Sequence, residues 1–430
     1  MMKKLLVVTL SLALIMFFGV SNVQADYEVE LTIAGGAVGE EYETTVKAAE
    51  MYMEENPDVY VEVIDTPDSA DERMSLYLSF FEAQSPEVDV YQIDVIWPGE
   101  LEDHLLDLNE YGAQDYVDEH FDHIIENNTN VDGELVAMPW FTDAGLLYYR
   151  QDLLDEYDLD VPETWSELEE YAGIIMDGER EENPDFEGFV WQGDAYEGLT
   201  CNFLEWIASN NGGSIISPEG EITILNDQAQ EMLEKAAGWV GDISPAGATN
   251  MMEEDARAIW HDGNAAFMRN WPYAYSLSME TDAFDPEDFG VAPLPAGEEG
   301  EPAGALGGWN LGVSEYSEHP EEAADLALFM ASEEVQKMRA TDASLNPTID
   351  HLYEDEEVLE ANPFFEELYD VFVSAEPRPS TIAGDNYSAV SSIVYSEAHS
   401  VLTGEQDALT ALEYMELEIQ DLTGFELGQP

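Results

Sequence analysis

Three Trp residues stand beside proline or glycine, where a chain turns: Trp97-Pro98-Gly99, Trp271-Pro272-Tyr273 and Gly307-Gly308-Trp309. An aromatic plate held at a turn suits the apolar C–H face of a sugar ring, and the hydroxyl rim of that ring calls for carboxylates, Asn and Arg. Taken singly, each Trp reads as core before it reads as platform; three at loop positions shift the balance toward a platform. Cations carry the second signal. Only three Lys and seven Arg follow residue 26, and Arg73, Arg150, Arg269 and Arg378 sit in distinctive local sequence. A guanidinium fork can donate two hydrogen bonds to sugar hydroxyls or lock a buried carboxylate. For any one of the four, both roles stand open.

Other chemistry-bearing patterns fail. There is no phosphate-cradling glycine loop ending in Lys-Ser/Thr and no dinucleotide glycine fingerprint after the first strand. Asn128-x-Asn130-x-Asp132-Gly133 resembles the start of a calcium loop, but Pro139 stands where the bidentate Glu belongs, so a turn is expected. His120 and His123, near Asp118 and Asp122, lack a clear third ligand. Cys201, the sole cysteine, lies in an apolar helical context and is assigned to the core; no intrachain disulfide can form. No metal or cofactor is implied.

The elements that must position these residues alternate. Val29 to Ala34 and Val59 to Ile64 read as strands. Helices are expected over 40–55 and 70–83, and Val88 to Ile96 is a further apolar strand. Such alternation predicts a parallel sheet with crossover helices, and ligands of such sheets sit beyond the strand ends. That rule places Asp94, Trp97 and the 35–40 loop on the ligand side. A second α/β stretch follows Pro139, with a strand at Leu146 to Tyr149 and a helix opened by Thr164 as N-cap.

The chain of 430 residues carries 12 Lys plus Arg against 95 Asp plus Glu, a formal net charge of −83. A phosphate backbone or an anionic lipid surface is held by cations, so nucleic-acid and membrane-surface roles are excluded. Nine Trp, 21 Tyr and 17 Phe argue for a folded globular protein and against acidic disorder. The acid is spread along the chain, which points to a surface made for high salt, where self-repulsion is screened within about 3 Å at 1 M. A melting temperature that rises from dilute to molar salt is the expected signature. Residues 1–25 read as a signal peptide: Lys3 and Lys4, an apolar run from Leu5 to Val20, and Val23-Gln24-Ala25 before a cleavage point. The mature chain is thus expected to be exported, periplasmic or extracellular.

Several longer stretches carry a resemblance: 142–150 (TDAGLLYYR), 188–193 with 196–199, 263–267 with 269–274, Gly290 to Pro295, Leu306-Gly307-Gly308-Trp309 and Pro377-Arg378-Pro379. Over essentially the whole mature chain the protein resembles the extracellular solute-binding proteins of ABC sugar importers, of the maltose-binding type and most of all the trehalose/maltose-binding proteins. The resemblance implies a two-lobed α/β fold, the type II periplasmic-binding-protein fold, with a sugar cleft between lobes joined by a hinge crossed more than once. The lobes are expected at 26–139 plus 296–345 and at 140–295 plus 346–430. Crossings are expected near Pro139–Asp143, near Gly290–Pro295 and after about residue 345.

It further implies that Glu40, Arg73 and Asp94 hold sugar hydroxyls from the first lobe. Asp143 near the hinge, and Trp271, Tyr273 and Arg378 from the second lobe, complete the cage, with Trp309 stacking from the first. Glu41, adjacent to Glu40 and an equal choice in alignment, joins Trp97, Phe141 and Gly308 as further candidates. Phe141 stands where the family has Tyr, a loss of one hydroxyl worth about 0.5–1.5 kcal/mol. The implied activity is binding of a disaccharide, trehalose and/or maltose, by hinge closure. No chemistry is implied. The implied partners are a membrane permease and an ATPase, and the protein itself is expected as a monomer. A glycoside hydrolase using Asp94 and Asp143, or an aromatic cage for an osmolyte such as glycine betaine, would share some of these features.

Overall fold

The computed structural model describes residues 27–429 other than 37, 131 and 299; the expected signal peptide lies outside the described residues. The described strands are β1 (Val29–Ala34), β2 (Val59–Ile64), β3 (Val90–Asp94), β4 (Met138–Ala144), β5 (Leu146–Arg150), β6 (Glu187–Val190), β7 (Glu221–Ile222), β8 (Ala265–Asn270), β9 (Phe289–Pro293), β10 (Leu306–Val313) and β11 (Glu426–Leu427). They form a five-stranded sheet in the order β2-β1-β3-β10-β4, a four-stranded sheet in the order β6-β8-β5-β9, and a small β11-β7 pair.

In the first sheet β1, β2 and β3 run parallel, as βα alternation dictates. β10 arrives from the other lobe and enters antiparallel between β3 and β4, so the sheet is mixed. The helices Glu41–Glu55 and Ala70–Glu82 follow β1 and β2. The second is N-capped by Ser69, whose Oγ accepts from the Glu72 amide. In the second lobe Thr164 opens the Trp165–Glu179 helix with a capping box completed by Glu167, a device worth about 1 kcal/mol. Four of the Trp residues fill the interior of this lobe. Trp191 meets Trp206 edge-on at 5.3 Å, and Trp239 packs against both Trp165 and Trp206. The indole N–H groups of Trp165 and Trp191 donate to Ser209 and Ser244, so these rings are buried without an orphaned donor.

The chain passes between the lobes three times. The first passage is Gly145, between β4 and β5; the second is 294–305, between β9 and β10; the third is 374–379. All three lie side by side. The Gly145 amide donates to the Ala305 carbonyl (3.3 Å), Leu306 donates to Glu376, and Glu376 donates back to Gly304 (both 2.8 Å). The first passage follows the expected 139–143, because β4 continues its sheet to residue 144, and the second begins at the end of the expected 290–295, where β9 stops at residue 293. The largest displacement is the third. Asn346 and Thr348, expected in the second lobe, mark no crossing; their carbonyls instead accept from the amides of Thr142 and Phe121. The following helix Glu356–Ala361 packs on the helix Glu333–Ala343, so the segment stays with the first lobe.

Candidate functional site

A cavity of about 620 Å³, counting its mouth, lies between the lobes and is bordered by strands of the first sheet, by helix starts and the 271–273 turn of the second lobe, and by Arg378 on the third passage. Strand register builds its first-lobe wall. Trp309 on β10 pairs with Asp94 on β3 and with Phe141 on β4, and Gly307 pairs with Asp143, so residues distant in sequence lie abreast at one end of the sheet. Gly308 makes this possible. Its φ is +117°, and a methyl group there would meet the Phe141 carbonyl oxygen at 2.5 Å. Glu41 reaches the cavity over Gly36, where any side chain would collide with its carboxylate. Gln92 fastens both: its Oε1 accepts from the Gly36 amide (2.8 Å) and its Nε2 donates to Glu41 (3.0 Å).

The second-lobe wall presents Trp271 and Tyr273, which follow β8. Trp271 Nε1 donates to Glu253 (3.2 Å) and the Tyr273 hydroxyl donates to Glu254 (2.8 Å). The lobes are in contact across the cleft. A methyl on Gly39 would fall 2.4 Å from the Tyr273 ring, and Asp71 accepts from the Glu197 amide at 2.9 Å. Arg378, on the third passage, ties the walls together: Nη2 donates to Asp94 and Nη1 to Glu197, each at 2.8 Å.

Charge in this enclosure is finely opposed. Burial pushes the Asp143 carboxyl well above the usual carboxylate range, and the neighbouring charges of Glu41 and Asp94 add to the shift. Burial likewise raises Glu41 against the opposing pull of Arg73, and raises Glu197 against Arg378. Burial works against the Arg378 cation, yet Asp94 and Glu197 hold it above the ordinary value. Arg339 has no such pairing: burial brings it down to about 9, although Glu41 and Asp143 favour its charge. Its guanidinium lies over Trp140 at 3.6 Å and Phe141 at 4.7 Å. Arg73 lies over Trp309 at 4.1 Å. Aromatic faces and carboxylate acceptors thus border one enclosed space, with guanidinium groups at and behind its walls, an arrangement able to grip a polyhydroxylated molecule.

The family model of the bacterial extracellular solute-binding proteins matches residues 36–337, which is most of the chain. The chain belongs to this family. The binding protein is 46% identical over 399 residues to a probable ABC transporter-binding protein of Deinococcus radiodurans, covering 93% of this chain and 94% of that one. It is 24% identical over 294 residues to the maltodextrin-binding protein MdxE of Bacillus subtilis, covering 66% of each. Among solved structures, maltose-bound MalE3 of T. maritima superposes with a TM-score of 0.87 at 41% identity, over 92% of this chain and 100% of that one. The GacH receptor of Streptomyces glaucescens shares the fold, with a TM-score of 0.81 at 23% identity, over 92% of this chain and 98% of that one. This protein is an ABC-transporter solute-binding protein with the two-lobed fold.

Asp94, Asp143, Phe141, Trp271, Tyr273, Gly308, Trp309 and Arg378 all border the cavity of the binding protein, and so does Glu41. Glu40 does not. It stands at the start of the following helix, partly exposed among the carboxylates of Glu43, Glu280 and Asp342, so of the adjacent pair the sequence offered, Glu41 is the one turned inward. Trp97 is a correction of a different kind. It is buried in the first-lobe core, edge-on to Trp309 at 5.5 Å and to Tyr77, and supports the plate from behind. Arg73 also stands behind Trp309, outside the cavity lining, wholly buried.

Of the other singled-out residues, Arg150 is a structural ion pair with Asp152. Arg269 stacks on the far side of Trp271 at 3.9 Å. Cys201 is buried and borders the cavity floor. Asn130 forms a turn, its Oδ1 accepting from the amides of Asp132 and Glu134. The His120 ring shares a hydrogen bond with Thr348. Sequence reasoning missed Glu197, Glu253, Asp68 and Arg339. The first follows Tyr196 in one of the quoted stretches. Arg339 was open to detection on scarcity alone, as one of only seven Arg residues in the chain.

Proposed function

We propose that this protein captures a disaccharide, maltose and/or trehalose, and delivers it to the membrane permease and ATPase of an ABC importer. The observation that carries the reading is the pair of Trp plates, Trp271 and Trp309, set on opposite walls of a cleft whose floor holds Glu41, Asp94 and Asp143. Plates take the C–H faces of two sugar rings, and carboxylates accept from their hydroxyls. The 41% identity to a protein whose structure holds maltose supports the same class of ligand. Glu41, Asp94, Asp143, Trp271, Tyr273, Trp309 and Arg378 would touch the sugar, with Phe141 and Gly308 shaping the floor and Arg73 backing the Trp309 plate from behind.

Binding is a hinge motion. An open form admits the sugar, and contacts to both walls favour closure because they exist only in the closed form. The closed surface is what the permease would recognise. No bond is broken in this cycle, and the protein acts as a monomer outside the cytoplasmic membrane after loss of residues 1–25. Among the described residues no helix is long and apolar enough to cross a membrane.

Calorimetric titration in molar salt with maltose, trehalose, sucrose and glycine betaine tests the reading. One-to-one binding of a disaccharide without release of glucose is the expected result. A response to betaine alone would overturn the cargo assignment, and free glucose would make the protein a hydrolase.

A further inference from the structure

Behind the Trp271 plate lies a buried ion pair that touches no part of the cavity. Glu205, wholly buried on the helix Glu197–Ser209, accepts from Arg269 through both oxygens: Oε2 from Nε at 3.0 Å and Oε1 from Nη2. Arg269 Nη1 donates to Gln192 at 3.2 Å, so each nitrogen of the guanidinium group is engaged. Its face lies flat against the Trp271 ring at 3.9 Å. Trp271 is thereby clamped between this guanidinium and the hydrogen bond its indole makes to Glu253.

The same Glu205 also holds the hinge. Its Oε1 accepts from the backbone amide of Ala305 at 3.2 Å, on the second passage between the lobes. The first passage lies directly on the pair: a methyl on Gly145 would meet Glu205 Oε1 at 1.9 Å and Arg269 Nη2 at 2.7 Å. Two of the three crossing segments therefore rest on a carboxylate whose other partner is the cation behind the ligand plate. A buried ion pair adds little stability over an apolar pair of the same volume, so stability alone gives no reason for this one.

We propose that the Glu205–Arg269 pair is a positioning device that couples the hinge to the Trp271 plate. Rotation about Gly145 and Ala305 shifts the Glu205 carboxylate, the carboxylate carries the guanidinium with it, and the plate takes its ligand-ready tilt only when the lobes are closed. The coupling runs through packed and hydrogen-bonded atoms in unbroken contact, from Ala305 N to the indole face. This inference rests on the proposed sugar site for its affinity arm and stands apart from it for its spectroscopic arm.

The test compares Glu205→Gln, Gly145→Ala and the charge-free double variant Glu205→Gln with Arg269→Met against wild type. Readouts are the emission and acrylamide quenching of Trp271, each obtained by difference from the matching Trp271→Phe protein, together with maltose affinity and melting temperature. Gly145→Ala, which replaces no side chain of the plate but presses a methyl against the Glu205–Arg269 pair, is expected to shift Trp271 emission in the ligand-free protein and to weaken maltose binding at least tenfold. The double variant is expected to fold, to bind at least tenfold more weakly, and to show the same Trp271 emission with or without the Gly145→Ala substitution. Variants that change melting temperature while Trp271 emission and maltose affinity stay at wild-type values overturn the coupling. So does an additive effect of Gly145→Ala in the double-variant background. If wild type ignores both maltose and trehalose, the sugar reading fails, and the Trp271 emission arm still decides the coupling. Should Glu205→Gln alone fail to fold, the double variant carries the decision.

Discussion

On the second-lobe wall of the cleft the side-chain polar atoms of Trp271, Tyr273 and Tyr196 all have protein partners, in Glu253, Glu254 and Glu253 respectively, and Arg269 behind Trp271 is paired with Glu205. The first-lobe wall is different. Oδ1 of Asp143, which borders the cavity, is buried with no protein partner among the described residues, and so are the Nη atoms of Arg73 and Arg339 in the layer behind that wall. A wall whose polar groups are already satisfied offers area and a stacking face, and treats similar sugars alike. A wall with unsatisfied donors and acceptors gains hydrogen bonds from a ligand that supplies hydroxyls in the right places and suffers from one that does not. We propose a division of labour in which Trp271 gives stacking area from the second lobe, and the first lobe adds discrimination around Asp143 to the stacking face of Trp309.

The most damaging test removes the residue that joins the two walls. Arg378→Ala leaves Asp94 and Glu197 buried without their shared cation, and breaking such a group by removing one partner costs about 3–5 kcal/mol. Thermal melting should show a large loss of stability and calorimetry no sugar binding at all; a variant that still closed on sugar would mean the walls need no bridge.

Next comes the contrast itself. Trp271→Ala removes a stacking face of roughly 1.5–3 kcal/mol, so titrations with maltose and trehalose should weaken by about 10–100-fold and by similar factors for each. Arg73→Met keeps the bulk and removes two unpartnered donors, and its losses should differ between the two sugars. Equal losses in Arg73→Met would erase the proposed division of labour.

The acid–base character of the cleft, on both walls, gives a smaller effect with a definite sign. Asp143, Glu41 and Glu197 are all pushed above their ordinary values of 3.8, 4.5 and 4.5, in each case mainly by burial. A carboxyl whose pKa is higher in the folded state binds its proton more tightly there. Its stabilising contribution is complete below the ordinary value and is lost as pH rises through the raised one. Melting temperature should therefore climb on acidification from neutrality toward about pH 5. Asp143→Asn should flatten that climb, raise stability at neutral pH and weaken sugar binding, since the amide keeps the shape but loses an anionic acceptor. A variant as pH-dependent as wild type would place the titration elsewhere. Smallest of all, Phe141→Tyr adds one hydroxyl to the floor, worth about 0.5–1.5 kcal/mol, read as an affinity gain of at most about tenfold by calorimetry.

Local structure was largely legible before the fold was seen. Strict alternation at Val29–Ala34 and Val59–Ile64 marked β1 and β2 to the residue, and Thr164 with Glu167 announced a helix start that the backbone adopts. These signals are local, set by side-chain period and by capping chemistry within a few residues. The hinge passages were bounded only loosely because a turn signal such as Pro139 or Pro293 does not say which sheet the flanking strand joins. Glu40 and Glu41 illustrate the limit at a single site: adjacent, identical and separated only by which one the glycine at 36 admits to the cavity.

The sequence by itself determined the acidic surface, the two α/β stretches, the turn-borne Trp residues and the class of ligand such residues suit, because composition, period and spacing are properties of the chain alone. The folded arrangement alone buries Trp97 behind Trp309 and brings Trp271 and Trp309 to the cavity border. It also decided that Arg269 and Glu205, 64 residues apart, meet behind one plate and beneath two crossing strands. Strand register and lobe packing are non-local, and burial sets the charge state of every carboxyl they enclose.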